Sequence, residues 1–243
     1  MTVTEAVVLM AGSGSRLRGS DQRFLKPLVS LAGRPLISYT IDALVRAGIR
    51  RINAVVGFEA GRLSVAFRKL VPPAVDVRFI ENSQWQRQNG ISLLAAAGYV
   101  TAPFLLTMSD HLFEDAVVQC LLESADANDL WLAVDRKIDS IFDLNDAMKV
   151  RTHGDRVVEI GKNLKDYDAI DTGLFVCPLD MFEYLGRAQK EGDCSLADGV
   201  RLMARDGRVR AVDIGSARWQ DVDTPEMLQQ AERFCQINST ARL

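Results

Sequence analysis

Ala11-Gly12-Ser13-Gly14-Ser15-Arg16 follows directly on an apolar run, and Lys26-Pro27-Leu28 stands a short way beyond it. Glycines in such a loop let backbone N–H groups approach phosphate oxygens with no Cβ in the way. Arg16 has the planar fork to bridge two oxygens, and Lys26 adds a compact charge. The loop is not a Walker loop, because no Gly-Lys-Ser/Thr follows at the right spacing. Nor is it the dinucleotide fingerprint, because position 17 is Leu where a third glycine would stand. Glycine, serine and arginine alone would also suit a plain strand-to-helix turn. Lys26-Pro27-Leu28 turns the reading toward a polyphosphate site with Arg16 and Lys26 as its cations.

Ser109-Asp110-His111 comes at the end of another apolar run, and Asp221-Val222-Asp223-Thr224-Pro225-Glu226 comes late in the chain. Carboxylates at strand ends of open α/β sheets face the ligand crevice. Mg²⁺ suits such a place, since it keeps waters and takes one or two carboxylates plus phosphate oxygens. Each aspartate also has a structural alternative as a cap, Asp223 above all, because a helix starts after it. His111 and His153 are the two histidines; His153 reads as a turn residue, and His111 draws interest from its neighbour Asp110. Asn89-Gly90-Ile91-Ser92 opens a helix, where a flat base could stack on glycine and meet Asn or Ser at its edge, or where the residues simply cap. Trp85 just upstream reads as a packing residue or part of a lid. Lys149, Lys162 and Lys165 could hold an acceptor's phosphate, or could be surface lysines.

These residues need elements to position them. A continuous apolar run at 6–10, apolar-rich segments at 52–56, 104–108 and 130–134, and an alternating run at 75–80 read as strands. Helical spacing covers Ile37, Ile41, Leu44 and Val45, then 63–70, 91–97 and 117–122. Runs at 148–152 and 156–160 flank His153-Gly154-Asp155, which predicts a hairpin. A strand at 169–177, helices near 181–189 and 196–204, a strand at 209–214 and a proline-started helix at 225–235 complete the pattern. Repeated strand–helix units predict an α/β fold: a mainly parallel sheet flanked by helices, with the hairpin inserted as a small acceptor lobe. One domain, 1–243, is expected, with a nucleotide-binding part at roughly 1–135 and an acceptor-binding part at roughly 136–220.

The charge of −3 comes without a basic block, which argues against a nucleic-acid partner. Arg201, Arg205, Arg208 and Arg210 are interleaved with Asp198, Asp206 and Asp213, as on a solvated face. The four cysteines form no C-x-x-C pair, which fits a reducing compartment. There is no leader pattern, and no apolar run is long enough to span a membrane, so a cytoplasmic protein without a membrane segment is expected.

Leu9-Met10-Ala11-Gly12-Ser13-Gly14-Ser15-Arg16-Leu17 with Lys26-Pro27-Leu28 resembles the signature of the sugar-phosphate nucleotidylyltransferases. Asn89-Gly90-Ile91-Ser92-Leu93-Leu94, Met108-Ser109-Asp110-His111, Ala147-Met148-Lys149-Val150, Ile160-Gly161-Lys162-Asn163-Leu164, Asp168-Ala169-Ile170-Asp171-Thr172-Gly173 and Trp219-Gln220-Asp221-Val222-Asp223-Thr224-Pro225-Glu226 follow in order. Together they resemble the cytidylyltransferase domain that makes CDP-inositol from inositol 1-phosphate, over nearly the whole chain. The resemblance implies a Rossmann-like sheet of the GT-A type and CMP transfer from CTP to a small phosphorylated alcohol. It implies Arg16, Lys26 and Asp110 as catalytic residues, and Asp110 and Asp223 as ligands of Mg²⁺. Met10, Ala11, Gly12, Ser13, Gly14, Ser15, Asn82, Asn89, Gly90 and Ser92 would hold the nucleotide. Lys149, Lys162, Asp171 and Thr172 would hold the acceptor.

The chain departs from that pattern in places. Met10 stands where the family usually has alanine, and Arg18-Gly19-Ser20-Asp21-Gln22-Arg23-Phe24-Leu25 makes a long polar stretch before Lys26. Many such inositol enzymes are fused to a membrane-embedded transferase, whereas this sequence reads as a stand-alone enzyme. Phosphocholine, 2-aminoethylphosphonate and a sugar 1-phosphate are alternative acceptors. An aromatic cage of Tyr167, Phe175 and Trp219 would favour a quaternary ammonium. A GT-A glycosyltransferase would carry Asp-x-Asp at the fourth strand's edge, where Asp110 is instead followed by His111-Leu112. A nucleotide-sensing paralogue would tend to lose the very cations and carboxylates retained here.

Overall fold

A computed structural model of the protein describes residues 2–18 and 24–240. Residues 19–23, most of the polar stretch before Lys26, lie outside the described residues. The order is β1 (Glu5–Leu9), α1 (Ser15–Arg18), a 3₁₀ turn (Lys26–Leu28), β2 (Ser30–Leu31), β3 (Arg34–Pro35), α2 (Leu36–Arg46), β4 (Arg51–Val56), α3 (Ala60–Leu70), β5 (Asp76–Glu81), α4 (Asn89–Leu94) and β6 (Phe104–Met108). Then follow β7 (His111–Phe113), α5 (Asp115–Ser124), β8 (Leu130–Asp135), β9 (Lys149–His153), β10 (Arg156–Gly161), β11 (Ala169–Cys177), α6 (Met181–Ala188), α7 (Leu196–Arg205), β12 (Val209–Asp213), β13 (Trp219–Asp221) and α8 (Pro225–Thr240).

Among the described residues the main sheet has nine strands in the order β5-β4-β1-β6-β11-β8-β12-β10-β9. β5, β4, β1 and β6 run parallel to one another, and β8 and β12 run the same way. β11 is antiparallel to both β6 and β8, and β10 is antiparallel to β12 and β9. The sheet is therefore mainly parallel by direction, as its apolar runs predict, with one reversed strand in its middle. Ala6, Val7 and Val8 are completely buried because helices cover both faces of β1. One apolar core lies under α2, α3 and α5, and a second under α4, α6 and α7. The predicted hairpin forms as β9 and β10, but it is the edge of the main sheet itself and not a separate lobe, paired to β12 and β11.

Three features were not expected. Ser30–Leu31 and Arg34–Pro35 make a small hairpin turned by Ala32 and Gly33, both with positive φ. β7 and β13 pair antiparallel although more than a hundred residues separate them, with Asp221 opposite His111. The arginines near the end also do more than face solvent: Arg210 bonds Asp129 and Asp155, and Arg208 bonds Asp180, each in a distant loop or turn. The last helix begins as predicted, with Pro225 at its first position and the Thr224 hydroxyl accepting from Met227 N at 3.3 Å.

Candidate active site

Parallel pairing explains why distant motifs meet. Leu9 is registered with Met108, and Ser109 N donates to Leu9 O at 3.0 Å, so the loops leaving β1 and β6 lie side by side. The β7–β13 pair adds the third piece: Val222 N donates to Asp110 O at 3.0 Å, which seats Asp223 beside Asp110. Gly14 has φ +63°, and a Cβ there would stand 2.5 Å from the Cβ of Lys26. Its glycine lets the loop fold down onto the lysine stem, where a side chain would be both strained and in collision.

The charges converge. Lys26 is buried, and its ammonium donates to Asp110 Oδ2 and, at 2.5 Å, to Asp223 Oδ1. Arg16 donates from Nη2 to Asp223 Oδ2 at 2.6 Å and from Nη1 to Asp146 Oδ2 at 2.7 Å. Burial works against the Lys26 charge, but Asp110 and Asp223 outweigh it and raise its pKa. Burial likewise opposes ionisation of Asp110, yet Lys26 and His111 hold its carboxyl well below the usual range. The His111 imidazole meets Asp110 Oδ1 through Nδ1 at 2.7 Å. Burial pulls its pKa down and Asp110 overcomes this, leaving it raised. The imidazole lies nearly parallel to Trp219, with centroids 6.1 Å apart, and Trp219 Nε1 donates to the buried Asp135 at 3.0 Å. Asp110 is thus held on both oxygens by groups that are themselves anchored.

A cation between Asp110 and Asp223 is compatible with this arrangement, because one ammonium already reaches both carboxylates. Among the described residues no group of three or more His, Cys, Asp or Glu gathers to form a metal cage. Two carboxylates completed by phosphate oxygens and water are the donor set that Mg²⁺ favours.

Two cavities meet at this charge cluster. The smaller, about 470 Å³, is lined by Met10, Ala11, Gly12, Ser13, Gly14, Ser15, Arg16, Lys26, Asn89, Ser92, Asp110 and Asp223. Trp85 also lines it, packed edge-on against Phe58 with centroids 5.4 Å apart. The larger, about 910 Å³, opens on the other side of Asp110 and includes Lys162, Asp171, Phe142, Phe175 and Trp219. In it, burial pushes the Asp171 carboxyl up to about 6, although Gly173 N donates to it at 2.7 Å. Gly173 itself sits at a bulge of β11 with φ +76°, and a Cβ there would meet His111 Nε2 at 2.4 Å.

Four expected contacts need correction. Lys149 is buried and its ammonium donates to Lys162 O at 2.8 Å, so it braces the loop after β10 and does not line the cleft. Thr172 is buried, with its hydroxyl on Ala133 O at 2.9 Å, because strand alternation turns it away from Asp171. Asn82 lies outside the lining of the smaller cavity, where it donates to Ser92 Oγ at 3.0 Å and accepts from Gln84 N. Gly90 makes room for protein and not for a base, since a Cβ there would stand 2.6 Å from Cys194 O. Tyr167 also leaves the aromatic set, lying over the Lys149 ammonium at 5.7 Å. Asp146 was missed: it bonds both Arg16 and Lys162 and lies in a loop with no strand-end signature.

The chain belongs to the MobA-like NTP transferase domain family, whose pattern matches residues 6–141. It is 37% identical over 94% of its length to a protein of Rubrobacter xylanophilus named bifunctional IPC transferase and DIPP synthase, covering 51% of that protein. An Aquifex aeolicus protein of the same name is 32% identical over 96% of the chain and 52% of the relative. The chain thus spans about half the length of the curated relatives it matches. The solved structure of the inositol-1-phosphate CTP transferase from T. maritima superposes with a TM-score of 0.83 at 26% identity, covering 96% of this chain and 97% of that one. Family membership makes the chain a nucleotidyltransferase. Among the described residues no helix is long and apolar enough to cross a membrane.

Proposed function

We propose that this protein transfers CMP from CTP to a small phosphorylated alcohol of the inositol 1-phosphate kind and releases pyrophosphate. The observation that carries the reading is the junction of two cavities at one charge cluster, with Arg16 and Lys26 facing Asp110 and Asp223. The triphosphate would occupy the glycine loop, its base reaching toward Asn89 and Ser92. The acceptor would enter from the larger cleft past Lys162.

An oxygen of the acceptor's phosphate attacks the α-phosphorus, the new P–O bond forms, and the bond to the pyrophosphate oxygen breaks. The nucleophile is already anionic, so no general base is required and positioning with charge neutralisation carries the rate. Lys26 neutralises charge growing on the phosphate, and Arg16 orients it. His111 keeps Asp110 ionised and fixed. Mg²⁺ would be held by Asp110 and Asp223 and would neutralise triphosphate charge. The choice of CTP and of the acceptor rests on the likeness to the solved inositol-1-phosphate CTP transferase. Asp171 in the cleft suits an acceptor rich in hydroxyls, which a carboxylate can accept from.

The test is a matrix of four nucleoside triphosphates against inositol 1-phosphate, phosphocholine, 2-aminoethylphosphonate and hexose 1-phosphates, reading pyrophosphate. CTP with inositol 1-phosphate should stand out. Preference for another acceptor would replace the proposed one, and no pyrophosphate with any pair would refute the transferase reading.

A further inference from the structure

Asp146 stands where two cations from opposite sides of the cleft meet. Arg16 comes from the end of the glycine loop and binds one carboxylate oxygen at 2.7 Å, while Lys162 comes from just beyond β10 and binds the other. The loop that carries Asp146 is short-range in its own bonding, with Asp146 N on Asp143 Oδ1 at 3.3 Å and Ala147 N on Asp143 O at 3.0 Å. The carboxylate is 36% exposed, so no core holds it in place. Burial opposes its ionisation, but Lys162 and Arg16 outweigh that and keep its pKa below the ordinary value.

A carboxylate is half of what these two cations are built to meet. It carries one negative charge, whereas a phosphomonoester carries close to two and offers three oxygens to the same donors. We propose that Asp146 is an internal stand-in for the acceptor's phosphate. It holds Arg16 and Lys162 across the cleft and is displaced when a phosphomonoester dianion arrives. Asp146 is then a positioning residue that competes with the acceptor and sets its apparent affinity without touching the reacting atoms. The idea rests on the proposed transferase reading for the identity of the acceptor, though not for the presence of an anion subsite. Partly exposed ion pairs are weak, so displacement is easy and the competition is modest.

The test compares wild type with Asp146→Asn, Asp146→Glu and the double variant Asp146→Asn/Lys162→Gln. Inorganic phosphate is titrated calorimetrically at low ionic strength, and acceptor and CTP kinetics are run in parallel. Asp146→Asn should bind phosphate about 3- to 10-fold more tightly, the effect of relieving two weak ion pairs. The double variant should lose that gain, and Asp146→Glu should restore wild-type binding. Acceptor KM should fall by the same factor in Asp146→Asn, and by more than any change in the KM for CTP. Unchanged or weaker phosphate binding, or a raised acceptor KM, overturns the proposal. If wild type turns over no acceptor, the functional reading fails, yet the phosphate titration still decides the role of Asp146.

Discussion

Replacing Asp171 by Asn should make the protein more stable near neutral pH while impairing use of the acceptor. Burial raises the Asp171 pKa from 3.8 to about 6. A raised folded-state pKa means that the folded protein holds the proton more tightly than the unfolded chain. The stability contributed by this group is therefore fully present below about pH 4 and is lost as pH rises through about 6. The shift corresponds to about 3 kcal/mol above pH 7. Asp171 lines the open cleft, and solvent there would roughly halve the figure. Asn resembles the protonated acid and does not lose that stability on raising the pH. For a chain of this size the gain amounts to about 3–6 °C in Tm. Melts at pH 4 and pH 7.5 should show no difference at the first and the full gain at the second. Acceptor kcat/KM at pH 7.5 should fall about tenfold or more, because a charged acceptor of hydroxyl hydrogen bonds has gone. Equal Tm values at pH 7.5, or a gain that persists at pH 4, would refute the reasoning about burial. Unchanged acceptor kinetics would remove Asp171 from the acceptor site.

The charge cluster offers three further tests. Asp110→Ala should abolish pyrophosphate release, a loss of at least about a hundredfold, with the circular dichroism spectrum unchanged; near-normal turnover would sink its assignment as a metal ligand. Lys26→Met leaves Asp110 and Asp223 without their shared ammonium. Activity should fall by about 3 kcal/mol in barrier, and thermal stability should fall with it. Millimolar Mg²⁺ should raise the Tm of Lys26→Met more than that of wild type, and an equal effect would argue against a cation site between the two carboxylates. Gly14→Ala meets both a positive φ and the Lys26 stem, so a loss of about 1–2 kcal/mol in stability and a raised KM for CTP are expected from melts and kinetics; a silent variant would show that the loop does not need to lie on Lys26.

Local patterns were readable where one physical rule governed them. The run at 6–10 had to be a buried parallel strand because it is apolar on both faces, and β1 is that strand, at Glu5–Leu9. The two runs flanking the polar turn His153-Gly154-Asp155 foretold β9 and β10, and Thr224-Pro225 foretold the start of α8. What pattern could not reveal was direction and facing. β11 is apolar enough to suit either orientation, and it runs against its neighbours β6 and β8. Thr172 and Asp171 are adjacent, and only the observed bulge and pleat assign one to the core and the other to the cleft. Lys149 looked like a phosphate ligand by type, and it proved to be a brace because carbonyls of its own lobe lie closer than the cleft.

The sequence by itself determined the chemistry available: a glycine loop able to cradle phosphate, two cations near it, and aspartates at the ends of apolar runs. Those are properties of residue type and short spacing, which act within a few residues. Only the tertiary structure decided that Asp110 and Asp223 share Lys26, because that meeting depends on the antiparallel pairing of β7 with β13 across more than a hundred residues. It also decided that Arg16 and Lys162 reach one carboxylate, Asp146, in a loop with no signature of its own. Charges act over a few ångströms through space, and no local pattern along the chain encodes which distant segments will be brought that close.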